Sequence, residues 1–256
     1  MIPVGPFTRH KPRIDDRASM ASPLGAAISQ ADRETIAMVR AALETGRLRL
    51  AYQPVVLGSD PQKIAFHEGL IRVLEPAGRI IPARDFIDAV EDTEIGRLID
   101  CAALEMGLAA LLNHPELRLS INMSARSIGF PAWTRVLKRG LNAHPTIGER
   151  LILEITESSA MQVPELVIAF MDQLQDQGVA FALDDFGAGM TAFRYFKDFQ
   201  FDIVKIDGQF IRGIHADPDN QVLTQALASI GRHFDMVVVA DPSKSWQMRN
   251  GYAPRA

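Results

Sequence analysis

The chain of 256 residues has a single cysteine, Cys101. One thiol excludes an internal disulfide and any cysteine-rich zinc site. It falls within an apolar helical pattern and reads as a small buried residue. Long hydrophobic runs are also missing. None approaches the roughly 18 apolar residues of a membrane span, and the N-terminus has no hydrophobic stretch of signal-peptide type. The chain is therefore expected in the cytoplasm, away from membranes. Charge of one sign is scarce: the net charge of -4 gives no reason to expect DNA or a membrane surface as a partner through bulk charge. The histidines show no metal-ligand spacing. What remains, 47% hydrophobic and 23% charged, supplies the core of one large α/β domain or two small ones.

Residues 1–29 carry four prolines and no steady period, so they read as a flexible leader or linker. From there helix-period and strand-like segments alternate. "DRETIAMVRAALETG" predicts a helix closed by Gly46, and "PELVIAFMDQLQDQG" predicts one that starts at Pro164 and stops at Gly178. Short helices are expected around "ARDFIDAVED" and "TAFRYFKDF". The strand-like runs are "LRLAYQPVV", "KIAFHEGLIRV", "LRLSIN", "LILEIT", "VAFAL", "DIVKI" and "MVVVA". Strands alternating with helices imply a parallel sheet with crossover helices.

Polar residues recur at, or just past, the C-terminal ends of these runs: Glu68, Arg72, Asn122, Glu157, Asp184, Asp185, Lys205 and Asp241. In a parallel α/β barrel those ends converge on the face where active sites lie. Asp184 and Asp185 stand side by side before two glycines, either capping the next helix or holding cations. Carboxylates and an amide are hard ligands and suit Mg²⁺ or Mn²⁺. Two such ions roughly 3.5–4 Å apart clamp the attacking and leaving oxygens of an in-line phosphoryl displacement. Glu68 and Arg72 share a strand face, so the guanidinium can hold a phosphate beside the ligands.

Six stretches, "YQPVV", "HEGLIRV", "INMSARS", "LEITES", "ALDDFGAG" and "VKIDGQFI", stand in this order over roughly residues 30–241. Together they resemble the EAL domain family, bacterial phosphodiesterases that hydrolyse cyclic di-GMP to linear pGpG. The resemblance implies a TIM-like (β/α)₈ barrel whose first strand runs antiparallel. It also implies Glu68, Asn122, Glu157 and Asp184 as ligands of a first Mg²⁺ or Mn²⁺, and Asp184 with Asp185 as ligands of a second. By the same resemblance Lys205 steadies the attacking water, Gln53 and Arg72 contact the substrate, and the partners are cyclic di-GMP and a second copy of the chain.

Three departures stand out. Gly69 replaces the family's alanine, and the glycine loop reads "DFGAGMTAF", with Ala188 and Met190 in place of a hydroxyl and an aromatic. In the third, "VVVADPSKS" stands where the family has "AEGVE". Asp241 occupies the position of a glutamate proposed as general base or second-metal ligand, and Lys244 reverses the next charge. The eighth strand and helix have no counterpart, so 242–256 reads as an atypical tail after a barrel at 30–241. Open edges on the first and seventh strands then predict lower stability or a homodimer. Two functions follow: a cyclic di-GMP phosphodiesterase whose turnover depends on the altered end, or a degenerate domain that binds cyclic di-GMP or a protein without turnover.

Overall fold

The computed structural model describes residues 23–189 and 193–240. Of the leader expected over 1–29, residues 1–22 lie outside the described residues, as do Met190, Asp241 and the tail 242–256, and residues 23–29 are helical instead. Helix α1 (Pro23–Glu44) begins ahead of the periodic stretch that starts at Asp32. It closes at Gly46, whose φ of +65° is open to glycine at little cost, while the Arg47 amide donates to the Ala42 carbonyl at 2.9 Å.

Strands β1 (Leu48–Leu57) and β2 (Asp60–Leu74) form an antiparallel pair, and β3 (Ile80–Pro82) returns along the end of β2. Three residues are too few to show a period, and β3 went unseen in the sequence. The chain continues through α2 (Ile87–Val90), α3 (Glu94–Asn113), β4 (Leu119–Asn122), α4 (Pro131–Leu141) and β5 (Leu151–Thr156). Next come α5 (Glu157–Gln162), α6 (Pro164–Gln175), β6 (Ala180–Phe186), β7 (Ile203–Ile206), α7 (Gly208–Ile211), α8 (Pro218–His233) and β8 (Val237–Ala240). The segment expected as a helix around "TAFRYFKDF" holds a 3₁₀ turn at Phe193–Lys197.

All strands join one sheet in the order β1-β2-β4-β5-β6-β7-β8, with β3 beside β2. Every pairing from β2–β4 onward is parallel. This is the TIM-like arrangement with an antiparallel first strand. Among the described residues its path ends at β1 and β8 without a closing pair.

Strand parity assigns the two faces. Leu151, Leu153 and Ile155 of β5, Phe181 and Leu183 of β6, and Val204 and Ile206 of β7 pack into the large core shared with the helices. Alternate residues Phe66, Ile152, Ala182 and Ile203 make a second, small apolar cluster on the opposite face, with Val55 and Val239 beside it. One step further toward the strand C-termini that inner face turns polar. Glycines bring α3 close to the outer face: a Cβ at Gly69 or at Gly107 would stand 2.6 or 2.7 Å from the same atom, Ile121 Cδ1. Ile121 thus fills a slot that two absent side chains leave open.

Candidate active site

Lys205 is the inward residue of β7, between outward Val204 and Ile206, and is 1% exposed. Its ammonium donates to Glu68 Oε2 of β2 and to Glu154 Oε2 of β5, each at 2.9 Å, and lies 3.6 Å from Asp184 Oδ1 of β6. Asn122, the last residue of β4, donates through Nδ2 to Glu68 Oε1 at 3.1 Å. Three strands thus deliver three buried carboxylates to one ammonium on a fourth, leaving two negative charges in excess if all are ionised. Burial pushes the Glu154 carboxyl up to about 7, with Lys205 opposing the rise and Glu68 and Asp184 adding to it.

The adjacent aspartates acquire a structural reason. Leu183 pairs with Val204 and Phe186 with Ile206, so Asp184 and Asp185 together face the single residue Lys205 across a β-bulge. Asp185 has φ +56°, a left-handed conformation that aspartate tolerates better than most residues, and its amide donates to Asp184 Oδ1 at 2.9 Å. The bulge breaks strict alternation, so the two carboxylates are not forced to opposite faces of the sheet.

Glu157, also expected among the metal ligands, meets the loop that follows the aspartates. It is the first residue of α5, past the end of β5, and its Oε2 accepts from the Gly187 amide at 2.9 Å. A Cβ at Gly189 would sit 3.5 Å from its carboxylate carbon. Glu157 therefore holds the glycine loop that follows the aspartates. Glu154, missed in the sequence, is the glutamate beside Lys205. Its signal was a lone charge inside the apolar run "LILEIT", in register with Asn122 and on the inner parity of its strand.

Gln53 is in register with Glu68 across the hairpin. Arg72 is four residues beyond Glu68 toward the rim and opposite Pro82. It donates to the Ile71 carbonyl at 3.0 Å, and burial, followed by the nearby Arg84 cation, lowers it from the usual arginine value. The structure thus brings together Glu68, Asn122, Asp184 and Lys205, adds Glu154, and leaves Gln53 and Arg72 flanking them.

A model of the EAL domain matches residues 36–242. The chain belongs to the EAL domain family. This EAL domain is 31% identical over 208 residues to the Pseudomonas aeruginosa bifunctional diguanylate cyclase/cyclic di-GMP phosphodiesterase MucR, covering 79% of this chain and 30% of MucR. It is 29% identical over 205 residues to the cyclic di-GMP phosphodiesterase PdeB of Shewanella oneidensis, covering 78% of this chain and 24% of PdeB. The chain thus spans a quarter to a third of these relatives. Among solved structures it is similar to the P. aeruginosa MucR phosphodiesterase in complex with c-di-GMP, with TM-score 0.73 and 28% identity over 81% of this chain and 85% of that one. The P. aeruginosa FimX EAL domain bound to c-di-GMP matches with TM-score 0.70 and 25% identity over 80% of this chain and 84% of that one.

Among the described residues no three acidic side chains are disposed as a ready metal shell; the Lys205 ammonium stands between them. The donor chemistry nonetheless fits a hard divalent cation. All donors are oxygen, the carboxylates outnumber the ammonium, and buried Glu154 Oε1 has no hydrogen-bond partner among the described residues.

Proposed function

We propose that this EAL domain is a phosphodiesterase that hydrolyses cyclic di-GMP to linear pGpG with Mg²⁺ or Mn²⁺. The observation that carries the reading is the Lys205-centred cluster of Glu68, Glu154 and Asp184, with Asn122 at its side, in the C-terminal halves of neighbouring parallel strands. Glu68, Asn122, Glu154 and Asp184 would hold one cation, and Asp185, re-aimed by the bulge, would share a second with Asp184. When bound, such cations supply Lewis-acid polarisation of the phosphodiester and a lowered pKa for water. The chain's own residues do the rest. Arg72 and Gln53 orient the dinucleotide from the rim, with the guanidinium matched to a phosphate. Lys205 faces the charge that develops as water attacks phosphorus in line and the P–O3′ bond breaks. Glu157 keeps the glycine loop folded beside the aspartates, and Asp241 is assigned to the base or second-cation position by resemblance.

The reading extends to a cytoplasmic homodimer. Tyr52 (46% exposed) on β1 and Val237 (60% exposed) on β8 leave apolar surface at the two ends of the sheet, which a second copy would cover. A second functional reading, binding without turnover, is favoured by one observation: Lys205 already neutralises part of the carboxylate cluster where a cation would enter.

Incubating near-stoichiometric protein with cyclic di-GMP and Mn²⁺, and quantifying pGpG, separates the two. Product that disappears in Glu68→Ala supports the enzyme. Cyclic di-GMP binding without product, by folded protein, establishes the binder.

A further inference from the structure

Asp100 is a buried carboxylate, 9% exposed, on a face of α3 whose other buried residues include Ile99, Ala103 and Leu104. It has no ion pair within 4.0 Å among the described residues, and burial raises its carboxyl from the usual aspartate range to about 7. An acid here is costly unless its hydrogen bonds repay the burial. Both hydrogen bonds recorded for it go to one loop, the segment after β4. Oδ2 accepts from the Ser127 hydroxyl at 2.6 Å and from the Ser124 amide at 2.9 Å. The same loop is tied from its other side, where the Ala125 amide donates to Ser159 Oγ of α5 at 2.9 Å. The Met123 amide continues the sheet ladder onto the Glu154 carbonyl.

Immediately upstream stands Asn122, with its side-chain amide on Glu68. As the last residue of β4, Asn122 takes its orientation from the ladder on one side and from this loop on the other. We infer that Asp100 is a positioning residue: by fixing Ser124 and Ser127 it holds Asn122 in the carboxylate cluster, and so sets cation affinity in a site it never touches. The inference rests on the cation-dependent phosphodiesterase reading. Outer partners of this kind change metal affinity or activity by roughly 10–100-fold when removed.

The test uses the full chain and Mn²⁺, whose free form is counted by electron paramagnetic resonance without any turnover. Asp100→Ala is expected to weaken Mn²⁺ binding by about 10-fold or more and to lower kcat with little change in KM for cyclic di-GMP. Asp100→Asn, whose amide oxygen can still accept from Ser124 and Ser127, should recover most of both. Ser127→Ala, which keeps the carboxylate and the Ser124 contact, should fall between them. A merely structural Asp100 would lower Tm in Asp100→Ala and leave Mn²⁺ affinity unchanged in the folded protein, which overturns the inference. Failure of the parent reading looks different, because wild-type protein would then bind no Mn²⁺ at all. In that case amide hydrogen exchange over residues 122–127 decides. Protection lost in Asp100→Ala and kept in Asp100→Asn upholds the anchoring, and unchanged protection overturns it.

Discussion

Replacing Lys205 with methionine removes the one ammonium that faces three buried carboxylates, and the consequence can be sized from the geometry. At 2.9 Å and an effective dielectric constant of about 20, each of the contacts to Glu68 and Glu154 is worth about 6 kcal/mol of attraction before desolvation is counted. Burying the ammonium offsets much of that. Removing one member of a buried ion pair costs roughly 3–5 kcal/mol, because the partner is left buried and uncompensated. A domain of ordinary stability holds only about 5–15 kcal/mol, so Lys205→Met should fold with a large part of its margin gone.

The loss is pH-dependent, and its sign follows from the carboxylates. Glu154 is already raised to about 7 with Lys205 present. Its protonated form is thus favoured by folding, so its ionisation erodes stability as pH rises from the unfolded value toward 7. Without the ammonium that erosion deepens, since the first opposing influence on Glu154 is gone. Urea unfolding of Lys205→Met should show the greatest deficit at pH 8 and a smaller one at pH 5. Mn²⁺ should restore stability at pH 8, by about 2.7 kcal/mol at a concentration 100-fold over its Kd. A variant within about 1 kcal/mol of wild type at pH 8 without metal would refute the reasoning, because the cluster would then be a surface-like pairing.

Two further predictions concern packing. Gly69→Ala, which restores the family's usual residue, brings a Cβ to 2.6 Å from Ile121 Cδ1 and 2.7 Å from Leu50 Cδ2; both are ends of flexible side chains that can turn aside, so the change should cost less than the roughly 1–3 kcal/mol of overpacking a rigid core and lower Tm only slightly, without changing cofactor dependence. Buried Arg150 donates through Nη1 to the carbonyls of Leu111, His114 and Leu117 at 2.8–3.2 Å. Arg150→Met takes this donor from the Leu111 and Leu117 carbonyls, while His114 keeps the Leu117 amide, and thermal unfolding should report a loss of about 2–4 kcal/mol.

Much of the architecture was legible in the chain. Helix and strand periods alternate, Gly46 closes the first long helix, Pro164 opens another, and seven strand-like runs become seven neighbours along one sheet. The site was legible in part. Glu68, Asn122, Asp184 and Lys205 declared themselves as polar residues at strand ends. Glu157 looked like their companion for the same reason, and Glu154, three residues earlier inside an apolar strand, did not. Which of the two faces Lys205 depends on where β5 ends and α5 begins, a boundary that local pattern places only to within a residue or two.

The sequence by itself determined the order of elements, the apolar parity of the strands and the supply of carboxylates, because those follow from periods of two and 3.6 residues read locally. Only the tertiary structure decided that Asp184 and Asp185 share a bulge opposite Lys205, that Asp100 grips the loop after Asn122, and that Glu154 joins Glu68 on one ammonium. Those pairings link residues 20 to 137 positions apart, and strand register, which no local period records, brings them together.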